Sequence, residues 1–417
     1  MADLDAEKHD SYGMGRMSGA DTRKMVVIAG AGYAGLHVAL RCGPWLDRHP
    51  EVAVTLVDQN DYHSLLPELP RVAAGTRSEE AVRVQLDSVL SPRVTFAQTA
   101  VTGFDLAGQA LLTEAERIPY HWLVLALGSR PNDFHIPGLA ERVLSLWSVD
   151  DAQRVWEAVQ ASVRRAAESD DEDEQRRLLT VVIGGAGSTG VELAGAFAEE
   201  LPGLARQYGA PADVCQVVLV EAGHTVLAGS SPGLIGRATQ ILRDLHVVLR
   251  TNAVIAQVTP AGFQLKNGEV ISGGVFIWAG GIKAPDVITG SGLEIGYNGR
   301  LKVDQYLRAL DHPEIFVAGD LASVVNPRTG KVLNPLAQIA LAEGALVAHN
   351  LQAEIDGRPL KPLDFQDKGF VVSVGEKKGV ADVRGITIGG RMASALKDAI
   401  EWEYRQSVQH LRGWSAV

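Results

Sequence analysis

The sequence predicts an α/β fold built on two mostly parallel sheets, followed by an amphipathic helical segment. Three observations carry the prediction. Short Val/Ile/Leu-rich runs alternate with helical patterns from Met25 to about Asn350, as parallel strands joined by crossover helices require. One phrase occurs twice, as "MVVIAGAGYAGLHVAL" from Met25 and as "TVVIGGAGSTGVELAG" from Thr180, so one strand-turn-helix unit is used twice. The strand runs lack polar alternation, which fits strands buried on both faces.

Composition bounds the rest. The chain has 417 residues, of which 46% are hydrophobic and 21% charged, enough for two or three globular domains. No window approaches the roughly eighteen uninterrupted apolar residues of a bilayer span. Residues 1–24 are polar and aperiodic, lack the apolar centre of a signal peptide, and read as a flexible leader on a cytoplasmic chain. A net charge of −11 argues against nucleic acid as a partner. Cys42 and Cys215 stand far apart, so neither a disulfide framework nor a thiolate metal site is expected, and no metal centre is assigned. The acidic run "ESDDEDE", Glu168 to Glu174, reads as an extended, solvated loop.

The first unit begins with "KMVVIAG". Its strand runs into Gly30, Gly32 and Gly35, a G-x-G-x-x-G in which the first glycine makes the turn, the second admits a pyrophosphate and the third packs helix on strand. The helix that follows aims free N–H groups at phosphate. The next strand, "VAVTLVD", ends in Asp58, 23 residues beyond Gly35, where a carboxylate can hold a ribose hydroxyl. This is a Rossmann-like dinucleotide site.

The second unit repeats each part. Gly185, Gly187 and Gly190 follow "LTVVIGG", and "CQVVLVE" ends in Glu221, 31 residues on because "PGLARQYGAPAD" lengthens the connection. Glu221 is followed by Ala-Gly-His and no cation, so a 2′-phosphate would be repelled, which favours NADH over NADPH. Two such sites with no other catalytic apparatus point to an electron relay, one candidate pair being FAD in the first site and NADH in the second. No G-x-S-x-G, H-E-x-x-H or Walker motif competes.

Four segments together are more specific than either fingerprint: "VTLVDQNDYHSLLPELPRVAAG", "YHWLVLALGSRPNDFHIPGLAE", "GGAGSTGVELAGAFAE", and "IFVAGDLA" followed by "PLAQIALAEG". Over about Met25 to Ile388 the chain resembles the type II NADH dehydrogenases, non-pumping NADH:quinone oxidoreductases of the two-dinucleotide-binding-domain flavoprotein superfamily. The resemblance implies an FAD-binding domain split into 25–133 and 282–375, an inserted NADH-binding domain at 134–281, and a membrane- or dimer-associating segment at 376–417. It also implies cofactor contacts from Tyr33, Ala34, His63, Ala126, Gly128, Ser188, Thr189, Gly280, Gly281, Gly319, Asp320 and Ala337. Asp320, at the end of "VAGD", could accept from the flavin ribityl chain or serve as a plain N-cap. Glu192, in "GVELAG" two positions past Gly190, falls in what reads as the first helical turn. The resemblance places it near the nicotinamide and flavin rings, against the alternative of a helix-start acid without chemical duty. Disulfide reductases and sulfide:quinone oxidoreductases of the superfamily need cysteines that this chain does not place.

Two departures affect the acceptor. The quinone-facing pattern A-Q-x-x-x-Q keeps Ala337 and Gln338 but has Ala342 where the second glutamine belongs. Gln338 could hydrogen-bond a quinone or satisfy backbone at a helix start. In the C-terminal segment, Met392, Ala395, Leu396, Ala399, Ile400, Tyr404, Val408 and Leu411 recur at helical spacing, with Trp402 and Trp414 at the flanks. That stripe suits a membrane surface, or packing on the body or on a second copy in a homodimer, although Asp398, Glu401 and Glu403 dilute its basic face. The leading expectation is a peripheral enzyme on the inner face of the cell membrane that passes electrons from NADH through FAD to quinone. A soluble reductase with another acceptor and a redox-sensing interaction protein are the alternatives.

Overall fold

Seven apolar runs, "KMVVIAG", "VAVTLVD", "HWLVLALG", "LTVVIGG", "CQVVLVE", "GVFIWAGG" and "EIFVAGD", become strands in the computed structural model, which describes residues 22–410. In chain order the principal elements are β1 (Lys24–Ala29), α1 (Tyr33–Leu46), β2 (Val52–Asp58), β3 (Val94–Gln98) and β4 (Trp122–Leu125). There follow β5 (Leu144–Ser145), α2 (Val149–Glu168), β6 (Thr180–Gly184), α3 (Ser188–Tyr208), β7 (Gln216–Val220), α4 (Pro232–Asp244), β8 (Val248–Arg250) and β9 (Val275–Trp278). The chain continues with β10 (Arg308–Ala309), β11 (His312–Val317), α5 (Ala337–Ile355), β12 (Phe370–Ser373), β13 (Gly379–Val383), β14 (Ile386–Gly390) and α6 (Arg391–His410).

The first sheet has the order β10-β11-β4-β1-β2-β3, parallel except for the β10–β11 pair. The second, β5-β9-β6-β7-β8, is parallel throughout. The two are built alike. Each fingerprint strand lies inside its sheet, with the acid-bearing strand on one side (β2 or β7) and a later strand on the other (β4 or β9). The first sheet draws strands from both ends of the chain, whereas the second uses only residues between 144 and 278. Apolar side chains such as Ile28, Leu56, Leu123 and Phe316 are fully buried in the first sheet, as Ile183 and Ile277 are in the second. Burying a side chain of that size stabilises by about 1.5–3 kcal/mol.

α5 closes on α1 at small residues. A Cβ on Gly344 would lie 2.6 Å from the Ala34 carbonyl oxygen, so only glycine permits this approach. The antiparallel β12-β13-β14 sheet then carries the chain into α6.

Two expectations change. The acidic run is not an extended loop: Glu172–Leu178 is a short helix, with the Asp171 side chain accepting from the N–H groups of Asp173 and Glu174. Its acids occupy the first turn, where the helix dipole favours them, and Arg176 and Arg177 pair with them one turn on. In α6 the apolar stripe is split: Met392, Ala395, Ala399 and Ile400 are exposed, as is the flanking Trp402, whereas Tyr404 and Val408 turn inward with Ala393, Ser394 and Lys397. The inward face is held by ion pairs with the body, which an apolar count cannot register. Leu411 of the stripe, the flanking Trp414, and residues 1–21 of the leader lie outside the described residues.

Candidate active site

The two fingerprint turns are nearly superimposable in chemistry. Gly30 (φ 106°) and Gly185 (φ 101°) both adopt backbone conformations that side chains rarely take. A Cβ on Gly35 would sit 1.8 Å from the Gly30 carbonyl oxygen, and one on Gly190 would sit 1.9 Å from that of Gly185. Helix and turn are therefore in contact through glycine alone. Gly32 and Gly187 face open space, as a phosphate approach requires.

The acids complete the likeness. Asp58 accepts from the N–H of Ala31 at 2.7 Å and of Asn60 at 2.8 Å. Glu221 accepts from the N–H of Ala186 at 2.8 Å and of Gly223 at 2.7 Å. Both carboxylates thus brace the turn they face. Burial raises the Asp58 pKa, against the pull of these bonds.

A cavity of about 1660 Å³ brings many predicted residues together. Gly30, Gly32, Tyr33, Ala34, Asp58, Ala126, Gly128, Gly319, Asp320, Ala337 and Gln338 line it from the first half, and Ser188, Thr189 and Glu192 from the second. The remaining predicted residues do not line it. Gly35 and Gly190 serve packing, His63 lies beneath the first turn, and Gly185, Gly187, Glu221, Gly280 and Gly281 belong to the second unit's own turn and strand end. Gly280 packs on Trp278, and the Gly281 carbonyl accepts from Asn132 N–H at 2.9 Å.

Asp320 is not an N-cap. It sits inside a short helical turn, Gly319–Leu321, and accepts from Ser129 Oγ at 2.8 Å. Burial raises its pKa. Below it, Glu343 is 1% exposed, accepts from the Gly319 N–H at 2.6 Å and leaves Oε1 without a partner. Burial pushes its pKa up to about 8. Arg300, nearby, donates to the carbonyls of Asp320, Ala322 and Leu333.

Glu192 occupies the second turn of α3 rather than the first, since the helix starts at Ser188. It is held from outside its own helix. Lys397 of α6 donates to Glu192 Oε1 at 2.6 Å, and the Ser373 N–H donates to the same oxygen at 3.2 Å. Lys397 also lies 3.4 Å from Glu401, whose pKa burial raises to about 7. For Lys397, burial favours the neutral amine, but Glu192 and Glu401 outweigh it, and the ammonium is held charged. Arg71 adds contacts to Asp398 at 2.7 Å and Glu401 at 3.7 Å. Gln338 donates through Nε2 to the Gly369 carbonyl at 3.0 Å and to Asp367 at 3.3 Å, so its amide hydrogens are engaged by a neighbouring loop. Ala342 presents only a methyl group to the cavity.

Sequence reasoning missed Lys397 and Ser129, and it read Tyr404 only as part of an apolar stripe, not as a hydroxyl 2.9 Å from His63. Ser129 stands in a quoted motif beside Gly128. Lys397 carries one faint signal, its four-residue spacing from Glu401 within a stripe otherwise read as apolar. Both cysteines are free, and burial pushes the Cys42 thiol up to about 12 and the Cys215 thiol up to about 11. Neither is poised as a thiolate nucleophile.

Comparison with known proteins agrees with this architecture. Residues 24–344 match the pyridine nucleotide-disulphide oxidoreductase family. The type II NADH:quinone oxidoreductase of Staphylococcus aureus (strain bovine RF122 / ET3-1) is 30% identical over 386 residues, covering 92% of this chain and 95% of that protein. The chain belongs to the type II NADH:quinone oxidoreductase family. The family member from Staphylococcus saprophyticus is 29% identical over the same share of each chain. Among solved structures, NDH2 from Plasmodium falciparum in complex with NADH has a TM-score of 0.82 at 18% identity, covering 92% of this chain and 94% of that one. The sulfide:quinone oxidoreductase of Aquifex aeolicus has a TM-score of 0.73 at 19% identity, covering 93% and 92%. At those identities the likeness is one of fold. Within the family fold, this chain keeps both dinucleotide turns and places no cysteine pair beside the first.

Proposed function

We propose that the chain is an FAD-dependent NADH:quinone oxidoreductase that does not pump protons. One observation carries the reading: a single cavity is walled by the first fingerprint turn, by Glu192 of the second unit and by Ala337–Gln338. In this reading residues 25–133 and 282–375 hold FAD, and residues 134–281 receive NADH.

The residues present fit an FAD. An open phosphate approach at Gly32, the Asp58 carboxylate at a strand end and the Asp320–Ser129 pair all border the cavity. When bound, FAD supplies the two-electron chemistry, taking hydride from NADH and returning electrons to the acceptor. The protein supplies alignment. Asp58 and Glu221 each offer a carboxylate at a ribose, the two helix N-termini face phosphates, and Glu192, paired with Lys397, holds a charge at the cavity wall. Gln338 orients the 367–369 loop there. Because Ala342 offers no amide and Gln338 is already engaged, acceptor contacts fall to other wall residues, and a soluble reductase with a non-quinone acceptor is the second reading.

Among the described residues, no helix is long and apolar enough to cross a membrane. The exposed outer face of α6, with Met392 73% and Trp402 65% exposed, supports peripheral attachment to the inner face of the membrane or contact with a second copy. The test is anaerobic stopped-flow. NADH should bleach the flavin and NADPH should not, and ubiquinone or menaquinone analogues should reoxidise it within the turnover time. Equal bleaching by NADPH refutes the Glu221 selectivity argument, and reoxidation by dyes but not quinones favours the second reading.

A further inference from the structure

α6 touches both fingerprint units, by different chemistry. It meets the second through Lys397 and Glu192, 2.6 Å apart. It meets the first through Tyr404, whose ring stacks on Tyr33 with centroids 4.7 Å apart and 22° between planes. The Tyr404 hydroxyl also lies 2.9 Å from Nε2 of His63.

The direction of that hydrogen bond can be deduced. His63 is 1% exposed, and burial draws its pKa down to about 4, so the imidazole is neutral. Its Nδ1 lies 2.9 Å from the Ala31 carbonyl oxygen, which can only accept, so Nδ1 carries the proton. Nε2 is therefore a lone pair, and the Tyr404 hydroxyl donates to it. The relay runs from α6 through His63 to Ala31, the residue between Gly30 and Gly32. Ala31 is thus clamped at both polar atoms, since its N–H already donates to Asp58.

The second unit solves the same problem locally. The equivalent residue, Ala186, gives its N–H to Glu221, but its carbonyl accepts from the backbone N–H of Leu227 at 2.8 Å. Only the first turn entrusts its carbonyl to a side chain, and that side chain to a residue 341 positions away.

We infer that Tyr404 is a positioning residue of the first dinucleotide site: acting through His63, its hydroxyl fixes the orientation in which the Gly30–Gly35 turn meets the diphosphate of the cofactor. The inference rests on the FAD reading above. It makes α6 part of the cofactor site rather than only a surface attachment. A turn that binds through backbone N–H groups gains from having its peptide planes fixed in advance, because misorientation is felt directly in affinity.

The experiment uses the full-length holoenzyme and follows FAD release by the recovery of free-flavin fluorescence. Tyr404→Phe keeps the stack and removes the hydroxyl, and is expected to release FAD roughly tenfold faster, the worth of one buried hydrogen bond. His63→Gln should also speed release. The double variant should be no faster than the worse single one, because both substitutions break one relay. Nitrogen-15 histidine NMR supplies a readout that general loosening would not produce. His63, identified by the signal lost in His63→Gln, should show a protonated Nδ1 and a hydrogen-bonded Nε2 that shifts toward the free value in Tyr404→Phe. Flavin present but released at the wild-type rate from Tyr404→Phe, multiplicative effects in the double variant, or a protonated Nε2 would each overturn the inference alone. Purified chain without any flavin would overturn the FAD reading and this inference with it.

Discussion

Replacing Lys397 by Met tests the electrostatics of the site most directly. The ammonium lies 2.6 Å from Glu192, with side-chain exposures of 7% and 9%, and 3.4 Å from Glu401, which is 13% exposed. Methionine fills much of the lysine volume but removes the cation that Glu192 and Glu401 share. Breaking a buried pair by deleting one partner costs about 3–5 kcal/mol, most of it for the charge left behind. The cost should depend on pH. Burial already raises the Glu401 pKa to about 7, and without the lowering pull of Lys397 it rises further, so the folded form holds an extra proton and loses stability as pH increases through that range. Urea unfolding should accordingly show Lys397→Met far less stable than wild type at pH 8 and closer to it at pH 5.5. Adding Glu192→Gln should restore part of the loss, as expected for directly coupled residues. In stopped-flow, bleaching by NADH should persist while quinone-linked reoxidation slows. Equal destabilisation at both pH values, or no recovery in the double variant, would refute the reasoning.

Other expectations follow from the same geometry. Glu343 has its folded pKa raised from 4.5 to about 8, so its contribution is intact below pH 4.5 and falls away as pH rises to 8, by up to about 5 kcal/mol. Glu343→Gln, which can still accept from Gly319, should flatten that decline, and an unchanged pH profile in urea unfolding would contradict it. Gly35→Ala places a methyl group 1.8 Å from a backbone oxygen that cannot yield, and should cost about 3 kcal/mol or more together with loss of FAD, read by thermal unfolding and by absorbance near the flavin band.

Much of the fold was legible in local sequence because its signals are local. Each of the seven apolar runs forms a strand, and the glycine spacings of both units define real turns with Asp58 and Glu221 braced against them. What was not legible depends on residues far apart in the chain. Glu192 meets Lys397 across 205 positions and Asp320 meets Ser129 across 191, and no spacing rule links such pairs. α6 shows why apolar periodicity misled. Its inward face mixes Ala393 and Val408 with Ser394, Lys397, Glu401 and Arg405, these four bound by hydrogen bonds and ion pairs, whereas Met392 and Ile400 look outward. A hydrophobic count treats such a face as solvent. The acidic run failed for the opposite reason, because the capping and i, i+4 pairing that fold it were present in the sequence but were read only as repulsion.

The divided strand supply of the first sheet bears on how the chain matures. On a ribosome, residues 144–278 emerge as one contiguous stretch and contain every strand their own sheet needs, so that half can close while synthesis continues. The other half waits. Until His312–Val317 arrives, Trp122–Leu125 is a bare edge of fully apolar side chains, open to pairing with a neighbouring nascent chain. Translation speed between those two points therefore sets how long an aggregation-prone intermediate must survive before the missing strand seals it.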